Sequence, residues 1–217
     1  MQQWAGGKVR SYHQTSMRKA VLHLKKSDPT MRGIIDAVGP CLLEYHAPTF
    51  PLLVASISSQ QISGKAARTI YGRLVEACGA AGLTPESVLK LRPSRMRKLG
   101  LSRGKTEYIR DLARHTRSGS VVFEQLPSLA DDAVIEHLVR VKGIGVWTAQ
   151  MFLMFALQRQ DILPTGDLGI RAAMRKVYGL EELPKPKEME AIAESWRPYR
   201  TVACWYLWRS LDGQAGF

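Results

Sequence analysis

The stretch LVRVKGIGVWTA, residues 138–149, joins two apolar segments through a turn bracketed by glycines. Gly143 and Gly145 stand two residues apart in this turn. Glycine allows backbone dihedral angles that other residues avoid, so the pair predicts a tight hairpin between two helices. Ile144 lies between the glycines, and we expect its apolar side chain to pack back under the turn.

A turn of this kind can bind an anion. The second helix would present main-chain N–H groups from the segment Gly143, Gly145, Val146 and Thr148 at its positive dipole end. Lys142 is placed to add charge. Phosphate contacts of this type position a protein on nucleic acid without reading sequence. The pattern also fits an ordinary helix corner with glycine caps, but the basic composition of the chain favours nucleic acid.

Helix signals recur on both sides of the hairpin, because Asp, Ser and Thr stand where helices begin and Gly and Pro stand where they end. Alternating strand patterns are nearly absent, so we predict an all-α fold. The predicted helices cover Asp28-Pro29 to Gly39-Pro40, residues 51–59, Ser63 to Gly79, a short segment from Thr84, Ser102 to about residue 119, roughly 131–140, roughly 146–157, a segment from near Leu168, roughly 187–196 and roughly 198–211.

The overall composition points to an anionic partner. The 217 residues include 31 Lys and Arg against 19 Asp and Glu, which gives a net charge of +12, and nucleic acid is the commonest partner of such a basic chain. No apolar run reaches the roughly 18 residues of a membrane span. The first sixteen residues lack the continuous apolar region of a signal peptide, and we expect them to pack poorly.

Cysteine spacing excludes several classes of metal protein. The three cysteines, Cys41, Cys78 and Cys204, are far apart and form no C-x-x-C pair. Neither a zinc site nor a disulfide framework is indicated, and three cysteines are too few for a four-cysteine iron–sulfur cluster.

The hairpin and the segment LPTGDL, residues 163–168, together resemble the helix-hairpin-helix DNA glycosylase superfamily (HhH-GPD), in which a Gly/Pro-rich loop and a catalytic Asp follow the hairpin. The resemblance covers roughly residues 30–211. It is closest to the 3-methyladenine DNA glycosylase II branch, in the compact form without an N-terminal β-rich domain. It implies one glycosylase domain over residues 1–217, with two helical lobes and an active-site cleft between them.

Asp167 is the catalytic residue that this resemblance implies. An opposed carboxylate stabilises the oxocarbenium character of a sugar whose glycosidic bond breaks, and it can orient or deprotonate the attacking water. An Asp in this position is also a favoured helix N-cap. Asp161 is a rival by proximity, but it precedes the proline turn and the resemblance does not support it.

Trp147 bears on whether the enzyme also cleaves the DNA strand. Bifunctional relatives carry a lysine two residues after the second hairpin glycine, and its amine forms a Schiff base with the sugar. Trp147 occupies that position here. An indole cannot form an imine, so the resemblance implies hydrolysis by water without lyase activity.

The resemblance also implies a pocket for the damaged base. Alkylation gives a purine a positive charge, which an aromatic face attracts by roughly 0.5–2 kcal/mol. Trp208 and Trp147 match family tryptophans, and Met151 would face the same cavity, although the best-known relative has a tyrosine there. The same tryptophans could belong to the core, and for Trp205 the core interpretation is favoured.

The segment Gln60-Gln61-Ile62, here called the wedge loop, interrupts the predicted helices. It resembles the family loop that enters the minor groove and fills the gap left by the extruded nucleotide. Gln61 aligns with the inserted residue. A polar turn between helices is the alternative interpretation.

Further contacts and a bound ion follow from the same resemblance. Lys65 and Arg171 are candidate contacts to the DNA backbone, which predicts salt-dependent binding. The family hairpin often holds a monovalent cation on carbonyl oxygens, here those of Val139, Val141 and Gly143. We expect no required cofactor, and at most a structural Na⁺ or K⁺.

The sequence therefore predicts a monomeric, monofunctional base-excision glycosylase that removes alkylated purines of the 3-methyladenine and 7-methylguanine type from double-stranded DNA. We expect no membrane association. The expected location is the cytoplasm, in association with the nucleoid, if the protein is bacterial, and the nucleus if it is eukaryotic. Two alternatives stay open: a non-catalytic helix-hairpin-helix DNA-binding module, and a bifunctional glycosylase/lyase for oxidised bases.

Overall fold

The computed structural model describes the backbone of residues 13–211 and the side chains of residues 17–211. Over these residues the chain is helical and forms no β-strand, which confirms the all-α prediction. The α-helices are α1 (His13–Ser27), α2 (Pro29–Val38), α3 (Phe50–Ser59), α4 (Gly64–Cys78), α5 (Pro85–Lys90), α6 (Pro93–Lys98), α7 (Arg103–Arg117), α8 (Asp131–Val139), α9 (Val146–Phe155), α10 (Leu168–Tyr178), α11 (Pro186–Ala193) and α12 (Arg200–Leu211). No helix in this part of the chain combines the length and the hydrophobicity that a membrane span requires.

The predicted helix starts are confirmed because the capping side chains make the expected hydrogen bonds. Each accepts the main-chain N–H three residues further on, which satisfies one of the unpaired N–H groups of the first turn. The residues that do so are Asp28, Ser63, Thr84 and Ser102. Thr84 forms a full capping box with Ser87.

Two helices, α1 and α6, were not predicted from the sequence. In α1 the buried residues Ala20 and Leu24 are four apart, which is helical spacing, but the segment is polar overall. Helix α6 has only six residues and carries one buried apolar side chain, Met96. Of the sixteen residues expected to pack poorly, residues 1–12 lie outside the described residues, and residues 13–16 belong to the backbone of α1.

The described residues divide into two compact units: the central unit, His46–Leu157, and the terminal unit, residues 13–45 and 158–211. The cleft expected between two lobes stays a prediction. In the central unit, the apolar helix α3 packs against α4 and α7, α5 and α6 also pack on α7, and α8 packs on α9. The predicted apolar face of α7 is confirmed, since Ile109, Leu112 and Ala113 are fully buried.

In the terminal unit, α12 packs against α2 and α10, and α1 packs against α2. A buried carboxylate, Asp28, ties three segments of this unit together. Its side chain caps α2 through the Met31 N–H at 3.0 Å and accepts the Tyr178 hydroxyl at 2.6 Å and the Trp196 Nε1–H at 2.8 Å. Because Asp28 is 7% exposed, these donors replace the water that a buried carboxylate would otherwise need.

Replacing Asp28 should therefore destabilise the protein strongly. Asp28→Ala removes the common acceptor of three donors and is expected to lower the free energy of unfolding by about 3 kcal/mol, measured by urea unfolding followed by circular dichroism. The matched control is Asp36→Ala, which removes an exposed ion pair with Lys25 and should cost less than about 1 kcal/mol. Equal losses for the two variants would contradict the role of the buried network.

Candidate active site and nucleic-acid interface

The predicted hairpin is present between α8 and α9. Gly143 has a φ of 81°, in the left-handed region that favours glycine. A Cβ added at Gly143 would lie 2.2 Å from Cδ2 of Tyr108, so the aromatic ring on α7 also excludes any side chain there. Ile144 is 4% exposed, which confirms that it packs under the turn.

The backbone of Gly145 does not have the unusual dihedral angles that were predicted for both hairpin glycines. Its φ of −93° and ψ of 173° describe extended backbone that any residue adopts, so unusual dihedral angles do not require glycine here. An added Cβ would meet no atom within 4 Å. Gly145 is the N-cap of α9 and brings no capping side chain, which leaves the start of this helix open to approach. Open space in front of a helix N-terminus is what a phosphate requires.

Asp111 holds the hairpin against α7, a role that sequence reasoning missed. Its side chain is buried, and Oδ2 accepts the Lys142 main-chain N–H at 3.0 Å while Oδ1 accepts Nη1 of Arg114 at 2.8 Å. The available signal was an acidic residue on the buried face of a helix, between Ile109 and Leu112, because a carboxylate there needs partners.

The ammonium group of Lys142 already forms an ion pair, so a contact between Lys142 and a phosphate would have to replace that pair. Its Nζ lies 2.9 Å from Oε1 of Glu107. The hydrogen bond between them raises the pKa of Lys142 and lowers the pKa of Glu107, because each charged form stabilises the other. Both side chains are at least half exposed, so this pair can be exchanged for a phosphate contact at small cost.

The first turns of α9 carry the other residues predicted near the hairpin. Val146 and Trp147 are about half exposed, at 54% and 48%. Thr148 is buried, so a DNA contact at this residue would use its main-chain N–H and not its hydroxyl. Met151 is half-buried. Trp147 and Met151 are four residues apart on α9, and this spacing puts them on one face of the helix.

The three residues of the wedge loop are placed differently from one another. Gln61 and Ile62 are exposed at the junction of α3 and α4, and Gln61 adopts a φ of 57°, which is uncommon for a residue other than glycine. Gln60 is half-buried, and its Nε2 donates to the main-chain oxygen of Gly143 at 3.0 Å. The structure therefore leaves Gln61 and Ile62 exposed and engages Gln60 with the hairpin.

The carbonyl oxygens predicted to hold a cation are partly engaged. The Val141 oxygen accepts the Ile144 N–H at 3.1 Å, and the Gly143 oxygen accepts the Gln60 amide. A carbonyl oxygen has two lone pairs. Each of these oxygens, and that of Val139, therefore retains the chemistry of a cation ligand.

Two predicted backbone contacts have different environments. Lys65 is exposed in the first turn of α4. Arg171 on α10 is half-buried, and its Nε donates to the Pro184 oxygen at 3.0 Å. That donor is already used inside the terminal unit, so the predicted contact at Arg171 would depend on its remaining guanidinium nitrogens.

Asp167 joins the loop of residues 158–167 to α10. Its side chain is 7% exposed and caps the helix, with Oδ1 accepting the Ile170 N–H at 2.8 Å. The positive end of the helix dipole stabilises negative charge at this position. The N-cap interpretation is therefore confirmed, and it is compatible with catalysis because the cap fixes the carboxylate in one orientation.

Trp208 lies beside this carboxylate. The indole Nε1 donates to Oδ1 of Asp167 at 3.1 Å, and the side chain is half-buried on α12. Gly169 makes room for the pair, since a Cβ there would lie 3.1 Å from Oδ1 of Asp167 and 3.2 Å from Cδ1 of Trp208. Glycine two residues after the aspartate was the sequence signal for this close approach, and sequence reasoning did not use it.

Packing shows the environments of the two neighbouring residues, Asp161 and Trp205. Asp161 forms ion pairs with Arg200 at 2.6 Å and with Arg197 at 2.7 Å, which gives it a structural role at the base of the loop. Trp205 is 3% exposed and packs edge-on against Tyr206, so its core assignment is confirmed.

Comparison with known proteins gives matches along most of the chain. A sequence profile of HhH-GPD superfamily base excision DNA repair proteins matches residues 54–198. DNA-3-methyladenine glycosylase 1 of Schizosaccharomyces pombe is 32% identical over 201 residues, which cover 90% of this chain and 88% of the relative.

Solved structures agree with these matches. The Schizosaccharomyces pombe 3-methyladenine DNA glycosylase in complex with abasic DNA has a TM-score of 0.78 at 31% identity, covering 88% of this chain and 96% of that one. A DNA-3-methyladenine glycosidase from Bacillus halodurans has a TM-score of 0.80 at 35% identity, covering 96% of this chain and 93% of that one.

The two hairpin glycines should respond differently to the same substitution. Gly143→Ala forces a methyl group into the Tyr108 ring at a positive φ and should lower the free energy of unfolding by about 2 kcal/mol. Gly145→Ala meets open space and should change it by less than about 0.5 kcal/mol. Its methyl group would instead occupy the approach to α9, which should weaken duplex binding about tenfold in fluorescence anisotropy. Parental affinity in Gly145→Ala would argue against a phosphate at this helix end.

Proposed function

This chain belongs to the HhH-GPD superfamily of base excision DNA repair proteins and is a DNA glycosylase for alkylated bases, and we propose that it releases alkylated purines by hydrolysis alone, with Asp167 as its catalytic carboxylate. The observation that supports this mechanism is the fixed Asp167–Trp208 pair at the start of α10. It combines an oriented negative charge with an aromatic side chain, which are the two groups that a cationic base and its sugar require.

Asp167 acts on the sugar. As the bond between C1′ and the base nitrogen breaks, positive charge develops on the deoxyribose, and a carboxylate held in one orientation stabilises that charge without reorganising. Hydrogen bonds from Ile170 and Trp208 supply this orientation. The same carboxylate positions a water molecule for attack on C1′ and accepts its proton. The products are the free base and an abasic site in an intact strand.

Aromatic side chains favour the charged base over an ordinary one. Trp208, Trp147 and Met151 are the side chains that we propose to contact the damaged base, as the family resemblance implies. Trp147 is half exposed and therefore has surface available for an everted base. Because alkylation places the positive charge on the base itself, the cation–π attraction of about 0.5–2 kcal/mol acts only on damaged purines.

Strand cleavage has no suitable nucleophile at the hairpin. Trp147 occupies the position of the Schiff-base lysine in bifunctional relatives, and an indole cannot replace an amine. The nearby Lys142 is a poor substitute because its hydrogen bond with Glu107 raises its pKa and keeps the amine protonated. Hydrolysis by water is the remaining route.

The hairpin and neighbouring cations hold the DNA backbone in this scheme. The start of α9, from Gly143 and Gly145 to Val146 and Thr148, receives a phosphate, and Lys142 and Lys65 add charge. We propose that a monomer suffices, and that it works on genomic duplex DNA, in a nucleoid or a nucleus. A net charge of +12 is consistent with strongly salt-dependent binding.

Excision itself uses no cofactor in this proposal. Carbonyl oxygens are suitable ligands for a monovalent cation, so a Na⁺ or K⁺ ion would be held by Val139, Val141 and Gly143. When bound, it would supply positive charge that draws a phosphate toward the hairpin. Tightening of duplex binding by K⁺ over choline at equal ionic strength would support such an ion.

Asp167→Asn tests the catalytic assignment. Asparagine preserves the cap of α10 and the acceptor for Trp208, so the fold should persist while the negative charge is lost. Release of 3-methyladenine from methylated DNA should fall by about 100-fold or more, with duplex binding retained. Asp161→Asn is the matched control, since it makes the same chemical change in the structural ion pair and should keep base release. An Asp167→Asn enzyme as fast as the parent would disprove the assignment.

Borohydride trapping tests the absence of lyase activity. A Schiff base between an amine and the sugar becomes a stable covalent adduct on reduction. The wild-type protein should give no adduct on DNA from which it releases base, whereas a lysine-containing bifunctional relative should give one under the same conditions. A trapped adduct would favour the bifunctional alternative. Failure to release any free base from methylated DNA would favour the non-catalytic DNA-binding module.

A further inference from the structure

The wedge loop has an unusual backbone that its surroundings must hold. Gln60 ends α3, with its main-chain N–H donating to the Ile57 oxygen. Gln61 then adopts the left-handed φ of 57°. A non-glycine residue in this region is strained, and such a conformation persists where neighbouring contacts fix it.

Two long-range hydrogen bonds supply contacts of this kind. Nζ of Lys105 on α7 donates to the Ser58 oxygen at 2.9 Å, in the last turn of α3. Nε2 of Gln60 donates to the Gly143 oxygen at 3.0 Å. The second bond joins the wedge loop to the hairpin across a separation of 83 residues in the sequence.

The hairpin end of this second bond is itself fixed. The Tyr108 ring confines Gly143, and Asp111 accepts the adjacent Lys142 N–H. The Gly143 oxygen is therefore held in a defined position relative to α7, and its hydrogen bond fixes the end of the Gln60 side chain. Gln60 thus connects the element that binds a phosphate to the element that enters the duplex, entirely within the central unit.

We propose that Gln60 is a positioning residue that couples the hairpin to the wedge loop. It is not inserted into DNA. When the hairpin binds a phosphate, the Gln60 bond sets where Gln61 enters the base stack. This inference rests on the proposed glycosylase function, and it replaces the expectation that all three residues of the wedge loop act alike.

The coupling depends on a hydrogen-bond donor at the end of the side chain. Gln60→Glu keeps the length and shape of glutamine, but an ionised carboxylate cannot donate and is repelled by the Gly143 oxygen. Gln60→Ala removes the group without adding charge. Because a single exposed hydrogen bond makes a modest contribution, each change should slow extrusion of the damaged base by about 3- to 10-fold.

Extrusion can be measured without cleavage. The probe is a duplex that carries 2-aminopurine next to 7-methylguanine on a 2′-fluorinated sugar, which keeps the glycosidic bond intact, and unstacking raises the fluorescence of 2-aminopurine. Gln60→Glu and Gln60→Ala should slow the fluorescence rise, and they should lower the midpoint of thermal unfolding by no more than about 4 °C. Gln125→Glu makes the same charge change at an exposed position of the central unit and should behave as the parent. A parental rate in both Gln60 variants would overturn the proposal.

A double substitution separates positioning from direct contact. If Gln60 acts only through Gln61, then Gln60→Ala should cause no further loss in a Gln61→Ala background, so that the two effects are not multiplicative. Multiplied losses would show an independent Gln60 contact with DNA and overturn the proposal. Because the probe is not cleaved, this outcome is distinct from failure of the proposed function, which would appear as a parent that releases no base from ordinary methylated DNA.

Discussion

The ends of helices impose the main constraint on this protein. Every helix begins with main-chain N–H groups and ends with carbonyl groups that have no partner inside it, and the described chain consists of many short helices. At several helix starts aspartate and hydroxyl side chains meet this requirement, and at some helix ends cationic side chains reach back to the carbonyl oxygens. The residues that do so include Asp28, Ser63, Ser102, Asp167, Lys105 and Arg110.

The same constraint locates the functional groups. At α9 the N-cap is Gly145, which has no side chain, and that helix start is the one we assign to a phosphate. At α10 the N-cap is Asp167, whose carboxylate satisfies the helix start and is the one that we propose as catalytic. A helix start without a capping side chain and a helix start with an acidic cap thus provide the two halves of the proposed function, DNA binding and excision.

Three buried carboxylates organise the packing of the described residues, and one of them is the carboxylate that we propose as catalytic. Asp28 and Asp111 each accept hydrogen bonds from several segments, and their oxygens are used in packing. Asp167 is equally buried, and its Oδ1 accepts hydrogen bonds from its own helix and from Trp208. Some cationic side chains are also used in packing. Lys105 and Arg110 donate to carbonyl oxygens within the central unit. The net charge of the chain therefore includes cationic side chains that are already used in packing.

The sequence by itself determined the all-α fold, most helix boundaries, the hairpin at Gly143 and the position of Asp167. These features depend on local chemistry: capping residues, helical spacing and the freedom of glycine act within a few residues of one another. The sequence did not reveal α1, whose polar character hides its buried face, or α6, which is too short to show a period.

Tertiary structure alone decided which side chains meet. The bonds from Asp111 to the hairpin, from Gln60 to Gly143 and from Trp208 to Asp167 join residues 31, 83 and 41 positions apart. Whether a polar side chain binds DNA, supports a neighbour or caps a helix depends on what packing brings within about 3 Å of it. No local pattern records that distance, which is why residue types were predictable here and several of their roles were not.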